Sequence, residues 1–386
     1  MGKYLKLSEP MTKICLIFFS WRIFLILVSL LAIKFVPLGY SDRFLGGGSI
    51  NYHLAPELFA WANFDGEHYL SIAIFGYKDL EQVFFPIYPM FISFFAKLLS
   101  QDPLSLLINS TLIGLIISNA SLLIALLFLY DLLKLDFSKK IAFFTIILIL
   151  IFPTSFYFGA LYNEALFLLL TVLAFLKARK GNWFLASIFG MIASATRIFG
   201  VILFPVFIIE AFIQKKYQGI FWLFLIPLGL GLYMYFQYVT VGDPFAFYHL
   251  QDLVGEQRQS QLVVLPQVYY RYAKMLSTIN LNQPIYQTIL LELIAGIVFF
   301  ILPIYGFFKK IRLSYLFYAL IGFLITTVQG SFSSVPRYVL VFFPSFIALS
   351  LWFDKLPKVF KGIFLLSLTS LLIVETALFL RGYWVA

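Results

Sequence analysis

Residues 104–130 read LSLLINSTLIGLIISNASLLIALLFLY, a run of 27 residues without a charged side chain. A helix of about 20 apolar residues crosses the hydrocarbon core of a bilayer, so this run is long enough to span one. Inside lipid every backbone polar group needs an internal partner, and an α-helix supplies one to each. The stretch therefore predicts a membrane-spanning helix.

The composition of the whole chain also indicates a lipid environment. Of the 386 residues, 62% are hydrophobic and 12% are charged, about half the charged fraction of a soluble domain. Phe contributes 47 residues and Tyr 23, which suits lipid-facing helices and interfacial aromatic belts. The net charge of +10 comes from short clusters of Lys and Arg between apolar runs. Because no single basic face is formed, a nucleic-acid partner is not expected.

Apolar runs of spanning length recur along the chain. They lie at about 14–36, 104–130, 141–158, 164–177, 219–240, 286–308, 313–329, 337–353 and 361–380. Residues 183–213 are too long for one helix and contain Arg197, so we divide them into two short helices that meet near this residue. The sequence thus predicts an all-α polytopic membrane protein with about eleven transmembrane helices, in a single domain over residues 1–386.

The charge distribution predicts the orientation of these helices. Segment 84–99 is apolar too, but Pro86 and Pro89 interrupt its start, and we assign it to the outer leaflet. Every inner segment then contains Lys or Arg, as the positive-inside rule requires. These residues are Lys3, Lys6, Lys13, Lys134, Lys139, Lys140, Lys177, Arg179, Lys180, Lys215, Lys216, Lys309, Lys310, Arg312, Lys355, Lys358 and Lys361. The N-terminus is then cytoplasmic. The acids assigned to the outer face are Asp42, Glu57, Asp65, Glu67, Asp79, Glu81, Asp102, Glu164, Asp243, Asp252 and Glu256.

Two predicted outer loops are long, at about 37–103 and 241–285, whereas the inner connections are only turns. Functional residues are often on loops that a rigid scaffold holds, so we expect the chemistry on the outer face and interfacial helices in the first loop. Neither the lone Cys15 nor the histidines have the spacing of a metal site, and we expect no metal and no cofactor. The histidines are His53, His68 and His249.

The first outer loop has a dense set of carboxylates and aromatic residues between positions 61 and 77. A carboxylate in such a loop can accept the proton of an attacking hydroxyl, which makes Asp65 the candidate general base. The alternative is that Asp65 caps a short interfacial helix that starts at the next residue. Glu67 and His68 follow, and they could bind acceptor hydroxyls or simply be solvated.

Tyr162, Asn163 and Glu164 precede an entirely apolar helix. An ionisable group at this position needs a partner or a water-filled cavity, which indicates a functional role for Glu164. Equally, Asn163 could cap the helix, with Glu164 placed favourably at the positive end of the helix dipole.

Arg197 and Arg337 lie at the predicted outer ends of apolar helices, and Tyr338 follows Arg337. A guanidinium group matches phosphate oxygens in a bidentate fork, so two converging arginines would suit a lipid-linked phosphate. The alternative for each arginine is snorkelling to lipid headgroups. Glu292 and Glu375 lie within predicted spans, and the sequence assigns neither a role beyond a polar contact inside the bundle.

Five short segments along nearly the whole chain occur in an order that resembles one family. They are Phe64-Asp65-Gly66-Glu67-His68-Tyr69 with Ile72-Ala73 and Gly76-Tyr77, Phe84-Phe85-Pro86-Ile87-Tyr88-Pro89, Tyr162-Asn163-Glu164-Ala165-Leu166-Phe167, Ala195-Thr196-Arg197 with Gly200, and Arg337-Tyr338. The order resembles the GPI mannosyltransferase II (PIG-V-like) family, in its prokaryotic relatives. That family usually has Trp before the loop aspartate, where this chain has Phe64.

The resemblance implies a GT-C glycosyltransferase, a polytopic enzyme that takes a sugar from a polyprenyl-phosphate donor. It implies mannose as the sugar, a glycan or glycolipid as the acceptor, and a catalytic role for Asp65. The expected donor-phosphate ligands are Arg197, Arg337 and Tyr338. The expected ligands of the acceptor or sugar are Glu67, His68, Tyr162, Asn163 and Glu164. Two arginines would neutralise the leaving phosphate without a metal ion. The compactness of the chain favours a prokaryotic plasma membrane.

Two other functions fit part of this pattern. A transporter or flippase of a lipid-linked glycan would use acidic loop residues to guide a headgroup. Such proteins commonly contain internal repeats with broken helices in matching positions, and the sequence has no such symmetry. A glycan polymerase or ligase would share an outer site but use a diphosphate-linked donor, and the sequence leaves this option open.

Overall fold

The computed structural model describes residues 8–39, 49–254, 263–281, 283–328 and 330–385. Within these ranges the chain is helical, with turns and short extended links, and contains no β-strand. The predicted all-α fold class is confirmed. The residues from the orientation argument that lie outside the described ranges are Lys3, Lys6, Asp42 and Glu256.

The helices follow one another with short connections. The first group is α1 (Glu9–Phe35), α2 (Ser49–Leu54), α3 (Pro56–Phe59), α4 (Asp65–Phe75), α5 (Ile87–Leu99) and α6 (Pro103–Leu133). The second group is α7 (Lys139–Leu150), α8 (Glu164–Arg179), α9 (Trp183–Ser194), α10 (Leu203–Gln214), α11 (Ile220–Leu223), α12 (Leu225–Val241), α13 (Ala246–His249) and α14 (Gln251–Val254). The third group is α15 (Leu265–Thr278), α16 (Pro284–Phe308), α17 (Leu313–Thr327), α18 (Val335–Tyr338), α19 (Phe343–Asp354) and α20 (Lys358–Leu380). Short 3-10 segments occur at Ala60–Ala62, Glu81–Val83, Ser155–Phe158, Ile198–Ile202, Tyr217–Gly219 and Val339–Val341.

Several of these helices are built to lie in a membrane. Among the described residues, five are long and apolar enough to span one, namely Glu9–Phe35, Pro103–Leu133, Tyr217–Val241, Ile285–Phe308 and Lys358–Leu380. Shorter apolar helices occur at Ile87–Leu99, Trp183–Ser194, Ile198–Gln214 and Leu313–Thr327. The chain is therefore an integral membrane protein, while the number of eleven spans stays a prediction.

The predicted span at 337–353 is sharply bent. Here the chain forms α18, a 3-10 turn and then α19, and the two arms meet at an angle of 90°. Phe342, at the corner, has φ −89° and ψ 62°, outside the helical region, and Pro344 occupies the first turn of α19. Proline is tolerated in a first turn because its missing N–H has no helical acceptor there. The bend places Arg337 on a short separate helix.

The predicted division of residues 183–213 is confirmed. α9 ends at Ser194, and helical structure resumes at Ile198, so Arg197 lies in the link. Gly200 permits this tight turn, since a Cβ atom there would lie 2.3 Å from the backbone carbon of Ala193. The link directs the Arg197 side chain towards the start of α8.

Helix α8 lies inside the bundle. It packs against α6 on one side and α9 on another, and α9 in turn packs against α12. Because apolar side chains surround it, α8 is buried along most of its length. Its two ends, Glu164 and Arg179, are separated by about 24 Å of helix.

A buried ion-pair cluster fastens the helices at the Arg179 end of α8. Glu210 on α10 accepts hydrogen bonds from Arg312 Nε and Nη2, each 2.7 Å long, and from Ser314 Oγ at 2.7 Å. Arg179 Nε lies 3.6 Å from Glu210, and the Arg179 guanidinium also pairs with Asp136. Basic residues of the predicted inner face thus join α8, α10 and α17.

Replacing Glu210 by Ala should lower the free energy of unfolding by about 3–5 kcal/mol, because the partly buried Arg312 and the buried Ser314 lose their shared acceptor. Thermal unfolding of the purified protein in detergent measures the loss. Glu9→Ala is the control, since it removes an exposed ion pair with Lys13 and should have a much smaller effect. Equal shifts in the two variants would contradict the prediction.

Candidate active site

Two carboxylates and two guanidinium groups from distant parts of the sequence meet at the Glu164 end of α8. Arg337 Nη1 lies 2.6 Å from Asp65 Oδ2, and Arg197 Nη1 lies 2.6 Å from Glu164 Oε1. Arg337 Nε is 3.5 Å from Glu164 Oε1, which joins the two pairs. The result is a continuous row in the order Asp65, Arg337, Glu164 and Arg197, here named the charge row.

Asp65 is the first residue of α4 and the most accessible member of the charge row. About a quarter of its side chain is exposed (26%), against 2% for Glu164. The residue before it, Phe64, has φ 58° and ψ −121°, a left-handed conformation that is strained for a bulky side chain. The helix-cap alternative for Asp65 is wrong, since Phe64 holds the cap position and makes no side-chain cap hydrogen bond.

Hydrogen bonds of Asn63 and ring contacts of Phe64 hold this strained turn in place. Asn63 Nδ2 donates to the carbonyl of Phe379 at 2.9 Å, and the carbonyl of Asn63 accepts from Tyr162 Oη at 2.8 Å. The Phe64 ring packs against Phe379 and Trp384, with ring centroids 5.9 and 5.6 Å apart. The last helix and the C-terminal segment therefore fix the direction in which Asp65 points.

Glu164 is almost completely buried, with 1% of the residue exposed. Its Oε1 atom faces both arginines, while its Oε2 atom has no hydrogen-bond partner among the described residues. The capping alternative for Asn163 is wrong, because its side chain makes no cap hydrogen bond. Instead Asn163 donates to the carbonyl of Thr196 and accepts from Arg197 Nη1, both at 3.0 Å, which orients the guanidinium.

Both arginines are enclosed by protein, with 8% of Arg197 and 6% of Arg337 exposed. The snorkelling alternative is wrong for both, since their guanidinium groups pair with carboxylates inside the fold. Tyr338 lies between them, with its ring centroid 5.4 Å from the Arg197 guanidinium and 4.9 Å from that of Arg337. Tyr157 and Tyr162 flank Arg337 at 5.5 Å each. Such aromatic contacts stabilise a cation that has lost its water.

The charge row borders a cavity of about 710 Å³. Eight of the nine predicted site residues line it, namely Asp65, Glu67, His68, Asn163, Glu164, Arg197, Arg337 and Tyr338. The exception is Tyr162, whose ring is 1% exposed beneath Arg337 and whose hydroxyl is used by Asn63. Tyr162 is therefore positioned to support the site as a packing residue. This position does not agree with the expectation that Tyr162 contacts the sugar.

Beyond the residues of the five short segments, the rest of the cavity wall was not anticipated from the sequence. Its apolar residues include Val83, Phe84, Phe85, Phe247, Ile285, Ile325 and Val328. Its serine and threonine residues are Thr196, Thr326, Ser331, Ser333 and Ser334, and Trp384 of the C-terminal segment lines the cavity as well. These residues have no distinctive spacing in the sequence. Among the residues described, no three His, Cys, Asp or Glu side chains form a metal-binding group, and a metal-free reaction stays a prediction.

His68 at the edge of the cavity has a partner that the sequence did not indicate. Its Nδ1 atom lies 3.8 Å from Oε1 of the buried Glu81, and its ring stacks on Phe84 at a centroid distance of 4.7 Å. Burial by itself would lower the pKa of His68, but the nearby carboxylates of Glu81, Asp65 and Glu67 outweigh this effect and raise the pKa. The charged imidazolium in turn helps to hold the pKa of Glu81 below its ordinary value, against the opposing effect of burial.

The fold and this cavity define a polytopic helical membrane protein with an enclosed carboxylate and guanidinium site. The chain belongs to the mannosyltransferase (PIG-V) family, whose model matches residues 12–228, more than half of its length. The family resemblance noted in the sequence is therefore confirmed. The matched region contains Asp65, Glu164 and Arg197, whereas Arg337 lies beyond it.

No curated protein sequence matches this chain significantly. Among solved structures it is similar to the Archaeoglobus fulgidus oligosaccharyltransferase in the apo form, with 14% identity and a TM-score of 0.45 over 96% of this chain and 56% of that one. A second is the archaeal oligosaccharyltransferase AglB from Archaeoglobus fulgidus in complex with an inhibitory peptide and a dolichol-phosphate, with 15% identity and a TM-score of 0.43 over 95% and 56%. The chain spans just over half the length of these structures.

The His68 and Glu81 pair predicts a pH-dependent contribution to stability. Because the pKa of His68 is higher in the folded state than its ordinary value of 6.5, the pair stabilises the fold below that value. The contribution is lost as the pH rises through the raised pKa. Thermal unfolding across this range should show a decline in the wild type that is smaller in Glu81→Gln. An unchanged decline in the variant would show that His68 is not the group that titrates.

Proposed function

We propose that this protein transfers a hexose, mannose in view of its family, from a polyprenyl-phosphate sugar to a hydroxyl group of a glycan or glycolipid acceptor. The transfer takes place on the outer face of a prokaryotic plasma membrane and inverts the anomeric carbon. One observation carries the proposal: the charge row puts an accessible carboxylate next to two buried guanidinium groups in a single cavity. A proton acceptor and a phosphate site are then within reach of one bound sugar.

The donor phosphate would bind at the two arginines. Arg337 and Arg197 both line the cavity. Phosphate oxygens can bind their guanidinium groups in the bidentate geometry that this group allows. As the sugar leaves, the phosphodiester becomes a phosphate monoester with additional negative charge. Guanidinium groups fixed in a water-poor cavity stabilise that growing charge.

Asp65 would act as the general base once its arginine has bound the donor. In the structure the carboxylate of Asp65 neutralises Arg337 at 2.6 Å. An anionic donor competes for the same guanidinium, so its arrival frees a carboxylate oxygen at the moment when a base is needed. Glu164 is less suitable as the base, because its side chain is 2% exposed and lies between both arginines.

The reaction is a single displacement. The acceptor oxygen attacks the anomeric carbon from the face opposite the phosphate, and its proton passes to Asp65. The bond from the anomeric carbon to the phosphate oxygen breaks, and polyprenyl phosphate leaves with the bonding electron pair. The products are an inverted glycoside and polyprenyl phosphate, with the proton on the Asp65 carboxyl. General-base catalysis of this kind contributes about 100- to 10,000-fold to a rate.

The remaining walls suit the other parts of the substrates. Glu164 lines the cavity, where a hydroxyl of the donor sugar would donate to its carboxylate. Glu67 and the half-exposed His68 stand at the edge of the cavity, where an acceptor headgroup would enter. The apolar side with Phe84 and Phe85 would hold the first isoprene units of the donor.

The two arginines also bear on the choice between mechanisms and functions. Phosphate is a good leaving group, and two guanidinium charges can neutralise it, so the proposed reaction needs no metal ion. Membership of a mannosyltransferase family favours transfer over the transport alternative. A polymerase or ligase with a diphosphate-linked donor is tested by offering monophosphate and diphosphate donors to the same preparation.

Asp65→Asn should reduce turnover by about 100- to 10,000-fold while leaving donor binding intact or tighter. The amide cannot accept the proton, but it also no longer competes with the donor for Arg337. Transfer is measured with radiolabelled polyprenyl-phosphate mannose and candidate acceptors, and binding is measured as thermal stabilisation by the donor.

Glu164→Gln is the matched variant for this experiment, because it also removes a carboxylate from the charge row. It should weaken donor binding, since it takes away a proposed sugar ligand, and it should retain more turnover at saturating donor. Undiminished transfer by Asp65→Asn would reject the base assignment. If turnover and donor binding change equally in both variants, the loss of activity comes from disturbance of the two arginines alone.

Arg337→Lys keeps a positive charge but loses the planar fork, and it should lower kcat/KM for the donor by about 10- to 100-fold. Arg381→Lys is the control, because Arg381 is equally buried at the same end of the protein but donates to the carbonyl of Val36 and to Tyr52, away from the cavity wall. If kcat/KM for the donor is the same in the wild type and in Arg337→Lys, Arg337 is not part of the phosphate site.

A further inference from the structure

Glu292 is a buried carboxylate in the middle of α16, and its hydrogen bonds lead to the active site. Only 2% of the residue is exposed. Its Oε2 atom accepts a hydrogen bond from Tyr272 Oη at 2.6 Å, and its Oε1 atom accepts from the backbone N–H of Ser334 at 3.1 Å. A carboxylate at such depth is costly unless donors surround it, so these two bonds hold it in one position.

Ser334 is the residue from which the short Arg337 helix starts. It has φ 62° and ψ 6°, the left-handed conformation, and it occupies the cap position of α18. Its carbonyl accepts from the backbone N–H groups of Arg337 at 3.0 Å and Tyr338 at 2.9 Å. A non-glycine residue in this conformation needs external contacts to stay there. The Glu292 carboxylate supplies one of them directly.

Outer helix α15 is attached to the same segment through Tyr272. The Tyr272 hydroxyl accepts from the backbone N–H of Phe332 at 3.1 Å while it donates to Glu292. The neighbouring Arg271 donates to the carbonyl of Gly330 at 3.2 Å. Residues 330–334 are thus bound on one side by α15 and on the other by α16.

We propose that Glu292 is a positioning residue for Arg337. By holding Ser334 in its left-handed conformation, Glu292 sets the orientation of the first turn of α18. This orientation directs the Arg337 guanidinium towards the donor phosphate. Through the hydrogen bonds of Tyr272, this orientation also depends on the position of α15. The inference rests on the proposed function, because it assigns Arg337 to that phosphate.

The test compares Glu292→Gln with Glu375→Gln. Glu375 on α20 is a second buried carboxylate, 1% exposed, and accepts a hydrogen bond from Gln287 at 2.6 Å rather than from the 330–334 segment. Glu292→Gln should lower kcat/KM for the donor about tenfold with an unchanged KM for the acceptor, since an amide can serve only one of the two donors. Glu375→Gln should leave both parameters near wild type.

A double-mutant cycle with Arg337→Ala separates positioning from general destabilisation. If Glu292 acts through Arg337, adding Glu292→Gln to Arg337→Ala should change donor kinetics less than twofold. Tyr272→Phe should behave like Glu292→Gln, and it provides a second variant if that protein does not fold. Additive effects, or equal losses in Glu292→Gln and Glu375→Gln, would overturn the proposal.

Binding of the product polyprenyl phosphate, measured by thermal stabilisation, distinguishes this failure from failure of the proposed reaction. If the wild type transfers no sugar but Glu292→Gln and Arg337→Ala weaken this binding non-additively, the positioning role stands and the reaction is wrong. If the wild type transfers sugar and Glu292→Gln leaves both binding and kinetics unchanged, the positioning role is wrong.

Discussion

The site depends on one electrostatic constraint: the two guanidinium groups buried in it are each paired with a carboxylate. Arg197 and Arg337 are removed from water, and a buried charge without a partner destabilises a protein by several kcal/mol. Asp65 and Glu164 supply the partners at 2.6 Å in each case. Because the four residues come from the first outer loop, α8, the α9 turn and α18, their pairing joins four parts of the fold at one point.

The same constraint would make the site responsive to the anionic donor proposed above. A carboxylate and a phosphate have similar demands on an arginine, so either can neutralise Arg337. The protein pairs both cations with its own carboxylates, and the proposed donor would replace one of these carboxylates instead of adding an uncompensated charge. In the proposed mechanism, the ion pair of Asp65 and Arg337 is the form of the base before the donor binds.

Structural features that depend on local composition could be predicted from the sequence. Features that depend on contacts between distant residues could not. The break at Arg197 was predictable, because a charge within an apolar region is unfavourable in lipid. The 90° bend before α19 was not predicted, because residues 338–353 contain no charged side chain and Pro344, a local sign of a helix start, does not set the angle of a bend. That bend is tied to contacts of Arg337 and Ser334 with residues far away in the chain. For the same reason Glu81 and Glu292 had no visible role.

The sequence by itself determined the lipid environment of the chain and the set of candidate site residues. Its apolar runs require a helical membrane protein, and its few charged residues near those runs identified Asp65, Glu164 and both arginines as functional candidates. Only the tertiary structure decided how they are used: Asp65 pairs with Arg337, and Tyr162 lies beneath the cavity instead of lining it. The hydrophobicity of a segment depends on its own residues, so it can be read from the local sequence. The pairing of buried charges is set by helix packing between residues up to 272 positions apart, which no local pattern encodes.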